Sequence, residues 1–133
     1  MDIAAVRAGL AAKLGTVFDR VHENVPDQVN PPCAIIRLNP ETSVRYKRTQ
    51  SGTVELDFLI TVVESSAWTR TGQERLDTYL APSGASSVMA ALEGTVSDVT
   101  DYAIVTEARN YGSVTIAGVT YYGVDFAVEV STL

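Results

Sequence analysis

This chain has little of what most protein chemistry needs. Its 133 residues include one cysteine, Cys33, and one histidine, His22. A lone cysteine excludes an intramolecular disulfide. A zinc site made from His and Cys needs three or four ligands, and these two residues fall short of that. A Ser-His-Asp triad would have to recruit His22, whose neighbours Glu23 and Asp27 lie in turn-rich sequence with no G-x-S-x-G elbow. His22 is therefore read as a surface or half-buried structural residue. Basic residues are scarce too, 10 Lys+Arg against 16 Asp+Glu, a net charge of -6. That balance argues against a broad basic face for gripping nucleic acid. Long apolar runs are also missing, and no segment approaches the ~18 residues of a membrane span. The opening "MDIAAVRAGLAAKLG" is broken by Arg7 and Lys13 and does not read as a secretory signal. The expectation is a soluble protein made in a reducing compartment. Cys33, inside the apolar run "PCAIIRL", is expected to be a buried, inert thiol.

What is present suits a single folded domain spanning 1–133. Hydrophobic residues make up 46% and charged residues 20%, far from the composition of disorder. At this length a domain buries roughly two thirds of its unfolded surface, enough for a core without staples.

Periodicity gives the elements. Ile3, Val6, Leu10 and Leu14 recur at spacings of three and four, which predicts a helix with these on its inner face and Gly15 as its stop. A short edge strand is expected at 20–22, then turn chemistry in "VPDQVNPP" and a buried strand in "CAIIRL". "VELDFLITVVE" is the clearest strand. Val54, Leu56, Phe58, Ile60 and Val62 alternate with Glu55, Asp57 and Thr61, so the acids are expected on a solvated face. Leu59 and Val63 break the alternation and predict partial cover there. Thr71 and Glu74 have capping-box spacing. They predict a helix whose apolar face carries Trp68, Leu76, Tyr79 and Leu80. A shorter helix carries Val88, Met89 and Leu92 and ends at Gly94. In the last third, "YAIVTEAR" reads as one strand. "SVTIAGVTYYGVDFAVEV" reads as two strands turning at Ala117-Gly118, with Val124, Phe126, Val128 and Val130 on one face and Gly123 at a bulge. The order of helix, strands, helices and strands predicts an α+β fold, a mainly antiparallel sheet with helices packed on one face.

Two stretches invite a chemical reading. "TYLAPSGASSVMAALEG" joins the two later helices, and its hydroxyl-rich centre offers a phosphate cradle, a serine nucleophile or a plain joint. A phosphate loop needs more glycine and a following lysine. The joint is the better reading, with Pro82 and Gly84 making the turn and Ser83 capping the short helix. Residues 40–52 are polar and carry the one concentrated positive cluster, Arg45, Lys47 and Arg48 with Tyr46 interleaved. The segment is either a solvated loop face or an arm, projecting from the domain, that reaches an acidic partner.

Three stretches, "VPDQVNPPCAII", "LDTYLAPSGASSVMAALEG" and "ARNYGSVTIAGVTYYGVDFAVEV", resemble the tail terminator proteins of long-tailed bacteriophages, above all those of actinobacteria. The likeness runs from about Leu10 to Val130 and rests on the order of segments. It implies an α+β fold and a ring, usually of six subunits, that caps the tail tube and stops its polymerisation. The implied partners are further copies of the chain, the major tail tube protein and a head-completion protein. DNA would be only passing cargo in the lumen, no membrane is involved, and the site is the virion neck. No cofactor, metal or catalytic residue is implied. Arg45, Tyr46, Lys47 and Arg48 are the candidate interface arm. The rival readings are a head-completion or connector protein of the neck, or a small non-catalytic binding module. A small-molecule hydrolase or transferase is disfavoured by the single histidine and the missing nucleophile motif.

Overall fold

A computed structural model of the chain describes residues 3–24, 26, 28–40, 44–46, 54–66, 69–96, 101–116 and 118–132. Helix α1 (Ile3–Leu14) leads into β1 (Val21–His22), β2 (Cys33–Leu38), β3 (Val44–Tyr46) and β4 (Val54–Ser65). Helices α2 (Arg70–Leu80) and α3 (Val88–Leu92) follow, then β5 (Gly94–Thr95), β6 (Asp101–Ile116) and β7 (Val119–Thr132). The strands form one sheet in the order β1-β2-β4-β7-β6-β5, with β3 also paired to β4. Only the β1–β2 pair is parallel among the described residues. The architecture is the expected α+β one, mainly antiparallel.

All three helices supply the same core. Val6, Leu10 and Leu14 of α1, Leu76 and Tyr79 of α2, and Val88 and Leu92 of α3 pack on Leu56, Phe58, Ile60, Val124, Phe126 and Val128. Period-2 alternation puts those β4 and β7 residues on one side of the pleat. Ile3 begins the α1 stripe but is 37% exposed, because it precedes the part of the helix that meets the sheet. The amine of Lys13 ties α1 to the end of α3 by donating to the Leu92 carbonyl at 2.9 Å. Trp68 lies outside the described residues.

Both later helices start where the sequence pattern did not place them. The N-cap of α2 is Thr69, whose hydroxyl accepts from the Gly72 amide at 3.0 Å. Thr71 is inside the first turn, and Glu74 pairs with Arg70 one turn back at 3.5 Å. The N-cap of α3 is Ser87, which accepts from Ala90 N at 3.1 Å and also donates to the Ala81 carbonyl. Ser83 is exposed in the bend and caps nothing. The joint does turn at Gly84, with φ +111. A cap needs its oxygen over the first free amides, and the corner between the helices sets which hydroxyl arrives there.

Strand β6 is longer than expected. "YAIVTEAR" and "SVTI" are two halves of one strand, joined through an irregularity between Arg109 and Gly112. Asn110 there takes φ 57. Gly123 faces this irregularity from β7. On its other side β4 also slips register, between Val63 and Ser65. A bulge was expected at Gly123 itself, yet both irregularities sit on the strands beside it. A Cβ on Gly123 would lie 1.9 Å from the Val62 carbonyl oxygen. Glycine is needed there for close approach of two backbones.

Candidate functional site

The second face of the sheet carries most of the polar side chains the core excludes. It falls into three zones. At one end, Val29, Cys33, Ile35, Val63 and Ile116 form a smaller apolar cluster, with Val114 and Tyr121 of the β6–β7 turn region packed against it. This is the cover that Val63 foretold. Cys33 is fully buried there, and burial pushes its thiol up to about 11, against a weaker opposite pull from Arg20. A thiol so raised is protonated at neutral pH and is a poor nucleophile.

The middle zone centres on Asp125, which is 3% exposed. Its carboxylate accepts from Thr61 Oγ1 at 2.7 Å and from Asn110 Nδ2 at 2.9 Å, and Arg37 lies 3.6 Å away. The Asn110 bond fixes the left-handed residue of the β6 irregularity to the neighbouring strand. Beside it, Arg109 pairs with Glu107 two residues earlier on the same strand. The buried Nε atoms of Arg37 and Arg109 have no acceptor among the described residues.

The third zone is acidic. Carboxylate oxygens of Glu55, Asp57 and Glu129 all lie within 4.8 Å of one another. Glu55 and Asp57 were expected on a solvated face, and both are only 7% exposed. The reason is β4's place in the sheet. It is a central strand, with β3 and β2 on one edge and β7 on the other, so side chains of the neighbouring strands flank Glu55 and Asp57 on that face. Oxygen clusters of this kind suit hard cations such as Ca²⁺ or Mg²⁺. All three residues already interact within the chain, and the trio reads as an internal polar node.

On the helix side, Glu64 is a further buried acid, 3% exposed, at the β4 register shift. It accepts from the Tyr79 hydroxyl at 2.9 Å and from Arg75 at 3.0 Å. Burial and the adjoining carboxylate push the Tyr79 phenol far above its usual range. Sequence reasoning missed Glu64 because it closes the strand in phase with the apolar residues Leu56 to Val62, where a carboxylate reads as the end of the buried run. The available signal was Arg75 and Tyr79, one turn apart on a single helix stripe.

The predicted arm is reached only in part. Val44–Tyr46 forms β3, and its register sets Arg45 opposite Glu55 and Tyr46 opposite Val54. Lys47, Arg48 and the rest of 41–43 and 47–53 lie outside the described residues. His22 is half-buried on β1, with Nε2 shut off from solvent and without an acceptor or donor among the described residues. It borders a shallow groove with Ala11, Gly15, Phe18, Glu23 and Pro26. Among the described residues, no helix is long and apolar enough to cross a membrane. No family model and no curated protein matches the chain.

Proposed function

We propose that the chain is a structural assembly protein of a phage neck, a tail terminator that closes into a ring on the end of the tail tube. The reading rests on one observation, the order of the three stretches that resemble that family. In the fold they are skeleton. One enters β2, one is the α2–α3 corner, and one is the β6–β7 hairpin. The buried carboxylates of Asp125 and Glu64 spend their bonds inside the chain, as scaffold groups do.

The ring's mechanism is steric and interfacial. Closure of the ring occludes the growing tube end, and the opposite surface receives the head-completion protein. Six copies of a chain with net charge -6 carry about -36, a field through which DNA slides without sticking. The arm at 40–52 carries the opposite sign and reaches the neighbouring subunit. Changing Lys47 and Arg48 to Glu, and leaving Arg45 because it lies opposite Glu55 in β3 where a second Glu would destabilise the fold, should leave the subunit's melting curve intact and weaken ring formation or tube capping. Tails of normal length, with normally joined heads, would overturn the interface role. Normal tails with altered DNA retention would move the arm's role to the lumen. A gene lying just before that of the major tail protein would independently support the terminator reading over a connector.

A further inference from the structure

We infer that the outer edge of β6 pairs with the same edge of a second copy of this chain, antiparallel about Ala108. Glu107 of each copy then lies opposite the partner's Arg109. The inference concerns the free chain and does not depend on the tail reading.

The edge is open. β5 covers β6 only at Tyr102 and Ala103. From Ile104 to Ile116 no strand among the described residues pairs with its outer side. Ile104, Thr106, Glu107, Ala108 and Tyr111 are exposed along it. Open backbone N–H and C=O groups select one kind of occupant, another extended strand. Proteins guard such edges with proline, net charge or bulges. This edge has no proline, and Glu107 and Arg109 cancel, on a chain of net -6. It does carry register shifts, between Val105 and Glu107 and between Arg109 and Gly112. They bracket a regular window, Glu107, Ala108 and Arg109, which keeps step with Ala127, Phe126 and Asp125 of β7.

That window is complementary to itself. Residues two apart share a face of the strand, so Glu107 and Arg109 project together. An antiparallel copy centred on Ala108 adds the same two charges in reverse order. The result is a square of alternating sign, with each arginine between two carboxylates. The Arg109 side chain is 31% exposed and already holds Glu107 of its own strand, so a second carboxylate can approach the outer side of its guanidinium. The register is also specified. A slip by two residues sets Glu107 opposite the partner's Glu107, or Arg109 opposite the partner's Arg109, and like charges directly opposite destabilise a pair. A contact of this kind is isologous and gives a closed twofold dimer. Exposed Ile104 and Tyr111 flank the window in both copies.

Sedimentation velocity of the full chain at rising concentration tests this. The expected result is a dimer share that grows with concentration and shrinks with salt. Glu107→Arg and Arg109→Glu should each lose the dimer, since one window becomes wholly positive and the other wholly negative. An equimolar mixture of the two variants should regain it. A wild-type chain that stays monomeric at its highest soluble concentration would overturn the inference, as would a dimer that neither variant weakens. Ala108→Cys provides a reading that needs no charge change. Cys33 is buried, so mild oxidation should link two chains through position 108, and Thr115→Cys should not link. A wild-type dimer with no link at 108 would equally overturn the pairing.

Discussion

Ser83 and Ser87 differ by four positions and by everything that a helix end requires. Ser87 is buried, accepts from the Ala90 amide and donates to the Ala81 carbonyl. Ser83 is exposed in the bend. Ser87→Ala should cost about 1 kcal/mol or somewhat more, because it removes a cap and a second bond together. Ser83→Ala should stay within about 0.5 kcal/mol of wild type. Urea midpoints of the two variants decide it, and equal losses would show that the corner tolerates either hydroxyl. A cap's existence was legible in "PSGASSV". Its address was not, because three serines compete there and only the packing of α3 against α1 and β6 selects one. The same holds for Thr69 over Thr71.

Among the elements, α1, β2, β4 and the apolar faces of α2 and β7 followed from periodicity alone. Strand alternation and the helical stripe are strong signals when one face is buried. The misreading of Glu55 and Asp57 has a clear origin. Alternation reports the chemistry of the two faces, and a polar face can be covered by its own network. Neighbouring strands decide that, and they lie far away in sequence. Glu64 continues the Leu56–Phe58–Ile60–Val62 side of β4 toward α2, where an acid is not expected until its helix partners are known. Its bond with Tyr79 predicts a definite outcome. Tyr79→Phe keeps the ring tilted against Phe18, with centroids 5.0 Å apart, but withdraws a donor from a buried carboxylate. A loss on the order of 1–3 kcal/mol in denaturant unfolding is expected. An unchanged midpoint would mean that Arg75 alone satisfies Glu64.

For the whole molecule, the buried thiol and phenol impose a direction on stability against pH. The folded chain holds the Cys33 proton to about 11, and the unfolded chain releases it near 9.0. Tyr79 is likewise held protonated above its ordinary range. Between these limits the folded state binds more protons than the unfolded one, so unfolding gains as pH rises. Stability should be level below about pH 9 and fall above it, the thiol alone contributing on the order of 2 kcal/mol by about pH 11. Urea midpoints across that range measure the slope, and Cys33→Ala should flatten it. A wild-type slope identical to the variant's would remove the thiol from the account. The α+β class and the single helix-bearing face were readable at this scale too. The three polar and apolar zones of the other face were not, because they are assembled from β2, β4, β6 and β7 by register.

The strand order also governs how the molecule comes into being. β7 lies between β4 and β6, and Ile60 of β4 has Phe126 as its partner. The middle of the sheet therefore joins segments made early and late in synthesis. Closing so long a loop must precede the contacts that reward it, which slows folding relative to chains rich in local contacts. A nascent chain keeps the core face of β4 uncovered on that side until Val119–Thr132 has left the ribosome. The sheet thus cannot close before β7 is made, and any copy that stops short of β7 never acquires a sheet centre.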